Sequence, residues 1–228
     1  MSVRHSIART IALVVFAASL FAVAGPVSAG DTRATVFIVH GVPGVKVDVC
    51  IGGLGEVTSK LAYAERDKRR FEAGTYKLKV RKALRGECKG DVVAKGSVTL
   101  AELANVTLVV RPEGSKNTIA RFDNDVTPTG GGQIRFVAAH MMRGGAVDVW
   151  ANGSEEISGL QRGDTGQVAL AADVVYSAWG TKSGLTAPIV GPRVIDSTTQ
   201  GQAFTFVMVG TKVANNRLVI FKQEVGTV

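Results

Sequence analysis

The sequence predicts an all-β protein: two tandem immunoglobulin-like antiparallel β-sandwich domains behind a signal peptide. Three observations carry this. One stretch occurs twice, 100 residues apart: ATVFIVHGVPGVKVDVCIGG from Ala34 to Gly53, and IRFVAAHMMRGGAVDVWANG from Ile134 to Gly153. At that offset His40 meets His140, Gly44 meets Gly144, Val47-Asp48-Val49 meets Val147-Asp148-Val149, and Tyr76 meets Tyr176. A self-similarity near domain length means two copies of one folding unit rather than a solenoid. The apolar residues also alternate with polar ones, as on a half-buried strand, and Val, Thr and Gly dominate over long Leu/Glu/Lys helical patterns. Lastly, Gly- and Pro-containing turn signals punctuate short segments at sandwich-like spacing.

Residues 1–29 carry the pattern of an export signal. Arg4, His5 and Arg9 precede an apolar run from Ile11 to Gly25, and Val27-Ser28-Ala29 offers the small residues of a cleavage site. The run is shorter than the roughly 20 residues of a spanning helix. The expected mature chain of about 199 residues therefore has no transmembrane segment and lies in the secreted, periplasmic or cell-envelope space.

The first repeat is expected over 30–123. Thr35 to His40 reads as a strand, and Gly41-Val42-Pro43-Gly44 as a turn. Val45, Val47 and Val49 then alternate with Lys46, Asp48 and Cys50, and Tyr76, Leu78 and Val80 with Lys77, Lys79 and Arg81. Asp91–Leu100, Val106–Arg111 and Thr118–Phe122 complete the set, with one or two short strands between Val57 and Phe71. Cys50 and Cys88 are the only cysteines. In an exported chain they are expected to form a disulfide, because C-x-x-C spacing for metal or redox chemistry is missing. Trp150 stands where Cys50 stands, which suggests aromatic packing in place of the cross-link.

Residues 124–132 read as a Pro/Gly-rich linker. Asp123, Asn124 and Asp125 are oxygen-bearing residues beside it, but Ca²⁺ takes about 6–8 oxygens. The second repeat, 133–228, is expected to place strands at Ile134–His140, Ala146–Ala151, Val174–Trp179, Phe204–Val209 and Leu218–Phe221.

Charge separates the repeats. From Asp31 to Phe122 there are 17 Lys/Arg against 10 Asp/Glu; from Gln133 to Val228 there are eight against seven. The excess is concentrated in Arg66, Lys68, Arg69, Arg70, Lys77, Lys79, Arg81 and Lys82, with Arg85 and Lys89 following. Such a strip attracts polyanions by field focusing and counter-ion release. It also serves as a solvated face protected from aggregation. Since the second repeat lacks it, the shared fold does not require it. Nucleic acid is not the expected polyanion, because no aromatics are interleaved with these charges.

His40 and His140 each stand at a strand end, eight residues before Asp48 or Asp148. The pairs His40/Asp48 and His140/Asp148 are expected to fix their turns by hydrogen bonding; metal or acid/base pairs are the alternative, with too few ligands to close a metal site. Arg162-Gly163-Asp164 is an adhesion-type tripeptide that also arises by chance. Asn105-Val106-Thr107 and Asn152-Gly153-Ser154 match the glycosylation pattern. No G-x-S-x-G, P-loop, complete G-x-G-x-x-G or H-E-x-x-H is present, so neither a cofactor nor a catalytic residue is expected.

The segments VHGVPGVKVDVCIGG and AAHMMRGGAVDVWANG resemble the opening signature of a family of bacterial secreted and surface proteins known as domain-of-unknown-function family 4397. Its usual form is V-H-A-x-P-x-A-x-x-V-D-V-Y-V-x-G followed by L-x-A-G-x-Y-x-V-x-V. FEAGTYKLKV (Phe71–Val80) is similar to the second part, and LAADVVYSAW (Leu170–Trp179) loosely so. Gly41 and Met141 stand where the family has Ala, and Arg143 where it has Pro. The resemblance implies β-sandwich modules of the envelope or cell exterior and assigns no catalytic residues.

The expected function is thus that of an exported non-catalytic binding or structural protein, contacting an anionic envelope polymer through the first repeat. One alternative is a protein–protein adhesion module using the loop ends Gly41–Gly44 and Met141–Gly145, with Met141 and Met142 as exposed contacts. The other is a carbohydrate-active enzyme, whose acids leave little trace in a sequence.

Overall fold

The computed structural model describes residues 31–84, 88–196, 198–223 and 225. The expected signal peptide (1–29) and Arg85 lie outside the described residues. The first eight strands are β1 (Ala34–His40), β2 (Val47–Ile51), β3 (Gly55–Leu61), β4 (Arg66–Phe71), β5 (Gly74–Lys82), β6 (Val92–Leu100), β7 (Asn105–Glu113) and β8 (Lys116–Asp123). The next eight are β9 (Gln133–His140), β10 (Val147–Ala151), β11 (Ser154–Leu160), β12 (Thr165–Ala171), β13 (Tyr176–Lys182), β14 (Pro188–Ile195), β15 (Ala203–Val209) and β16 (Arg217–Gln223).

The fold is all-β and consists of paired four-stranded sheets. One sandwich stacks β4-β1-β7-β8 on β3-β2-β5-β6; the other stacks β12-β9-β15-β16 on β11-β10-β13-β14. Strand n of the first sandwich thus occupies the place of strand n+8 in the second. All pairings are antiparallel except β1 with β7 and β9 with β15. Because the chain reverses at each connection, odd-numbered strands run one way, and two odd strands that become neighbours must be parallel. No helix among the described residues is long and apolar enough to cross a membrane.

Alternation puts Val36, Ile38, Val47, Val49, Leu78 and Val80 inside the first sandwich. In the second, the rings of Phe136 and Phe206 pack at a tilt, centroids 4.4 Å apart. β11, β12 and β14 were not visible in the sequence. β11 is bulged against β10, and β14 carries Gly191-Pro192 in its middle with shifts of register, so neither keeps a clean period of two.

A third apolar cluster joins the sandwiches, and residues 31–228 form one compact unit. The outer faces of β1 and β7 give Phe37, Val39 and Val109; those of β9, β15 and β16 give Ala139, Val207, Val209, Val219 and Phe221, and Met141 follows β9. Phe37 stacks on Phe221 with centroids 4.5 Å apart. The same sheet face is used on both sides, as in a two-fold dimer interface. The polar rim follows the same rule. Tyr63, in the β3–β4 loop, places its hydroxyl against the carbonyls of Val209 (3.2 Å) and Asn215. Arg162, in the β11–β12 loop, reaches the Pro112 carbonyl and Glu113 (3.2 Å) at the end of β7. Gly41 sits where this approach is closest: an added Cβ would lie 2.8 Å from the Val110 carbonyl and 2.9 Å from Val209 Cγ1.

The connection 124–132 is held on both sides. Asn124 is buried, accepting from Thr107 (2.9 Å) and donating to Asn105 (2.7 Å). Arg135 of β9 donates to the carbonyls of Asp125 (2.9 Å) and Thr127 (2.7 Å).

Candidate functional site

The basic strip divides across the fold. β4 and β5 adjoin in sequence but belong to opposite sheets of the first sandwich. Arg66, Lys68 and Arg70 lie on the face of β4 that turns toward the second sandwich. Arg66 stands over the rings of Phe37 (5.9 Å) and Phe221 (5.3 Å), Lys68 stands over Phe37 (5.8 Å), and Arg70 pairs with Asp31. Arg69 points to the other side of the strand and pairs with Asp67 at 2.7 Å. The expectation of one continuous strip is therefore corrected: Arg66 and Lys68 serve the junction, while Arg69 and Arg70 pair with Asp67 and Asp31.

Lys77, Lys79 and Arg81 project from the opposite, outer face of the sandwich. Lys79 lies directly across from Lys95 of β6 in the register, and Lys77 across from Ser97. Lys77, Lys79 and Lys95 are exposed, and none pairs with a carboxylate among the described residues. A shallow cleft of about 280 Å³ runs between them over Gly96. Arg81 donates to the Gly90 carbonyl (2.7 Å) and Lys82 pairs with Asp91 (3.0 Å), so these two tie down the β5–β6 connection.

The same connection carries the disulfide. Cys50 and Cys88 are bonded, with Cα atoms 6.0 Å apart. In the second sandwich the corresponding outer face is aromatic: Trp150 and Trp179 are cross-strand partners with nearly parallel rings, centroids 6.3 Å apart. Trp150 Nε1 donates to Thr181 Oγ1 at 3.1 Å. The sequence pointed to Trp150 but not to its partner, because Trp179 is brought across from it by the register of β10 on β13.

The histidines and aspartates do not pair with each other. His40 Nε2 bonds the Val45 carbonyl and His140 Nε2 the Gly145 carbonyl, each at 2.8 Å, so each imidazole closes its own turn alone. A carbonyl can only accept, so Nε2 carries the proton and Nδ1 is left as an acceptor; in both rings Nδ1 is buried without a partner. Burial lowers both imidazole pKa values, and the turn carbonyl only partly opposes this.

Asp48 and Asp148 instead face the neighbouring strand. Asp48 accepts the Lys60 N–H (2.9 Å); Asp148 accepts those of Gly159 (2.7 Å) and Gly184 (2.8 Å). Lys60 (φ 51°) and Gly159 (φ 62°) are the left-handed residues of the bulges in β3 and β11. The Asp of each V-D-V motif thus satisfies a backbone donor that the bulge frees from the ladder. Burial raises the Asp148 pKa, but the donors from Gly159, Gly184, Ser183 and Ser158 outweigh it and hold the carboxyl below its ordinary value.

Three further expectations resolve at particular atoms. Asp123 pairs with Arg121 (2.6 Å), Asn124 Oδ1 is taken by Thr107, and Asp125 meets Thr127 (2.7 Å) and Arg135 (3.2 Å), so their oxygens face different partners. No cluster of His, Cys, Asp and Glu fit to hold a metal occurs among the described residues. Met141 and Met142 are 0% and 1% exposed, which removes them as surface contacts: one fills the junction and the other the second core. Arg162 of the Arg-Gly-Asp tripeptide is spent on Pro112 and Glu113.

The sequence profile of a family described as "Domain of unknown function (DUF4397)" matches residues 34–150, from the start of β1 to Trp150 in β10. The chain belongs to this family. The DUF4397 match thus takes in the whole first sandwich and the opening of the second. No curated protein matches the chain. Among solved structures it is similar to "The Bacillus anthracis TIE protein", at 10% identity and a TM-score of 0.27, over 79% of this chain and 34% of that one. The chain spans about a third of that protein, and a likeness this slight carries no argument.

Proposed function

We propose that the chain is an exported, non-catalytic binding or structural protein of the cell envelope or extracellular space, built from two copies of the DUF4397 unit. Its first sandwich contacts an anionic envelope polymer through the outer face of β5 and β6. The observation that carries this reading is the Lys77/Lys79/Lys95 face. Like charges placed directly opposite on a sheet are destabilising. Lys79 and Lys95 hold that arrangement, and neither forms an ion pair with a carboxylate among the described residues, a cost that an anionic ligand would relieve. The β4 cations Arg66, Lys68 and Arg70 take no part, and the export pattern of residues 1–29 supplies the location.

The test is co-sedimentation of residues 31–228 with cross-linked poly(glycerol phosphate), with neutral dextran beads as control, across a salt series. Binding should fall steeply with salt. It should be lost in a Lys77→Glu/Lys79→Glu/Lys95→Glu variant and kept when Arg69 and Lys82, which lie off this face, are changed to Gln. Equal retention by the triple variant, or equal binding to dextran, sinks the reading. The free protein offers a second check. Lys79→Glu should stabilise it by about 0.2–1 kcal/mol in urea unfolding, because a cross-strand repulsion becomes an attraction.

A further inference from the structure

Each buried histidine is tied to a loop that crosses the junction. The His140 N–H donates to the Asp164 carbonyl (3.0 Å), and its carbonyl accepts the Gly163 N–H (2.7 Å). Both partners belong to the β11–β12 loop, which carries Arg162 to Pro112 and Glu113 of the first sandwich. His40 is tied in the same way to the β3–β4 loop, through the Glu65 carbonyl (3.0 Å) and the Ala64 N–H (2.8 Å). That loop carries Tyr63 to the second sandwich. Each imidazole therefore stands behind one arm of the junction.

Both rings are built around a single protonation state. Nε2–H closes the turn at 2.8 Å, and Nδ1 is an enclosed acceptor on a side chain 0% (His40) or 1% (His140) exposed. A second proton has one place to go, Nδ1, where it meets neither an acceptor nor solvent. A buried N–H without a partner costs free energy, and a charged one costs more. Protonation is accommodated by moving the ring and the loop bonded to it.

The two rings have different neighbours. The charged group facing His40 is Glu65, whose sign favours an imidazolium. His140 faces Arg162 and Asp164 of its own loop and Arg111 of β7, across the junction; the two guanidiniums oppose an imidazolium and Asp164 favours it. Glu113 is already bound by both guanidiniums, Arg111 at 2.8 Å and Arg162 at 3.2 Å. Even so, Arg111 Nε and Nη1 and Arg162 Nε are buried without partners. By strand register, Val209 stands where Arg111 does, and Tyr63 where Arg162 does. The cation-crowded pole thus exists on the His140 side alone.

We propose that His140 is a proton-operated latch of the junction: on acidification the imidazolium displaces the β11–β12 loop, Arg162 leaves Pro112 and Glu113, and the two sandwiches part while each keeps its own core. The latch does not depend on the lysine face of the first sandwich.

The direction of the pH effect follows from the surroundings of the ring. Burial first, and then Arg162 and Arg111, lower the His140 pKa on folding, with the Gly145 carbonyl and Asp164 opposing. The latch is therefore fully closed above the ordinary imidazole value of 6.5 and loses its hold as the pH falls from there toward the lowered folded value. Within that window the closed-to-open ratio falls by up to about tenfold per pH unit. The window lies above the ordinary carboxylate range near about pH 4, so Glu113 and Asp164 stay charged through it.

The experiment takes residues 31–228 from about pH 7.5 to about pH 5 and follows small-angle X-ray scattering, far-UV circular dichroism and amide hydrogen exchange corrected for its intrinsic pH dependence. The radius of gyration should rise and protection of the Gly163 amide should fall at least about tenfold, with the far-UV spectrum unchanged. His140→Gln, whose side-chain amide can donate to the Gly145 carbonyl but takes up no proton, should stay compact and keep Gly163 protected. His40→Gln should open as the parent does. Imidazole NMR on the parent gives the same test without a substitution, since His40 and His140 are the only imidazoles of residues 31–228. His140 should carry its proton on Nε2 at about pH 7.5 and gain the second in step with the expansion. Unchanged size and Gly163 protection down to about pH 5 overturn the proposal. So do expansion of His140→Gln alongside the parent, and loss of the far-UV signal together with the expansion, which would mean unfolding instead of parting.

Discussion

Phe37→Ala tests whether the two sandwiches hold together as one unit. Phe37 is 1% exposed, yet it points out of its own sandwich and stacks on Phe221 of the other at 4.5 Å, with Arg66 and Lys68 above it. Truncating a fully buried Phe costs about 3–5 kcal/mol, of which the aromatic pairing is about 0.5–1.5 kcal/mol. Against a total stability of about 5–15 kcal/mol, that would lower the urea midpoint by about 1–2 M. The assay follows from the composition: Trp150 and Trp179 are the only tryptophans and both lie in the second sandwich, so fluorescence reports that sandwich while far-UV circular dichroism reports both. In the parent chain the two transitions should coincide. In Phe37→Ala they should separate, because the lost packing is what couples the halves. Phe136→Ala, inside the second core at 0% exposure, should cost a similar amount without separating the halves through the junction. A Phe221→Ala/Phe37→Ala double-mutant cycle should recover about 0.5–1.5 kcal/mol of coupling. A loss below about 1 kcal/mol in Phe37→Ala, with coincident transitions at the parent midpoint, would refute the shared core.

Three further outcomes are expected. Reducing the Cys50–Cys88 disulfide, which spans a separation of 38 residues, should cost about 4 kcal/mol by the chain-entropy relation, read as a lower urea midpoint in dithiothreitol. Asp148→Asn should cost about 1–3 kcal/mol near neutral pH, because at least one of two buried backbone donors loses a carboxylate acceptor. The Asp148 pKa is lowered by folding, so its contribution is complete above the ordinary carboxylate value of 3.8 and disappears as the pH falls through the lowered folded value. The acid limb of the stability–pH curve should therefore be shallower in the Asn variant. Lys60→Gly should raise the melting temperature, with a gain of up to about 1 kcal/mol, because Lys60 holds φ 51° in the bulge where the second sandwich already uses Gly159.

Much of the architecture follows from local pattern. The valines of β2 and the Tyr76/Leu78/Val80 set of β5 alternate cleanly, so their strands and inner faces could be read directly. The cysteines could be paired because there are only two and the chain carries an export pattern. β11 and β14 escaped because bulges and Gly191-Pro192 break the period that makes a strand visible, and β12 because Gly166, Ala169 and Ala171 blur its apolar contrast. The cations were visible as residues but not as a surface. Alternation tells which side of a strand a residue takes; it does not tell which sheet the strand joins, and β4 and β5 join opposite ones. The lysine that completes the exposed face, Lys95, comes from the next strand over and is brought there by register.

The sequence by itself determined the all-β composition, the inward valines and the turn-closing position of the histidines, because these depend on interactions a few residues apart. Tertiary structure decided the rest. It buried Met141 and Phe37 in a junction between sandwiches, drew Arg162 into that junction, and gave Asp48 and Asp148 to the bulges of neighbouring strands. Each of these depends on which surfaces meet after folding, and the free energy that selects the meeting comes from apolar area and backbone donors contributed by segments far apart in the chain.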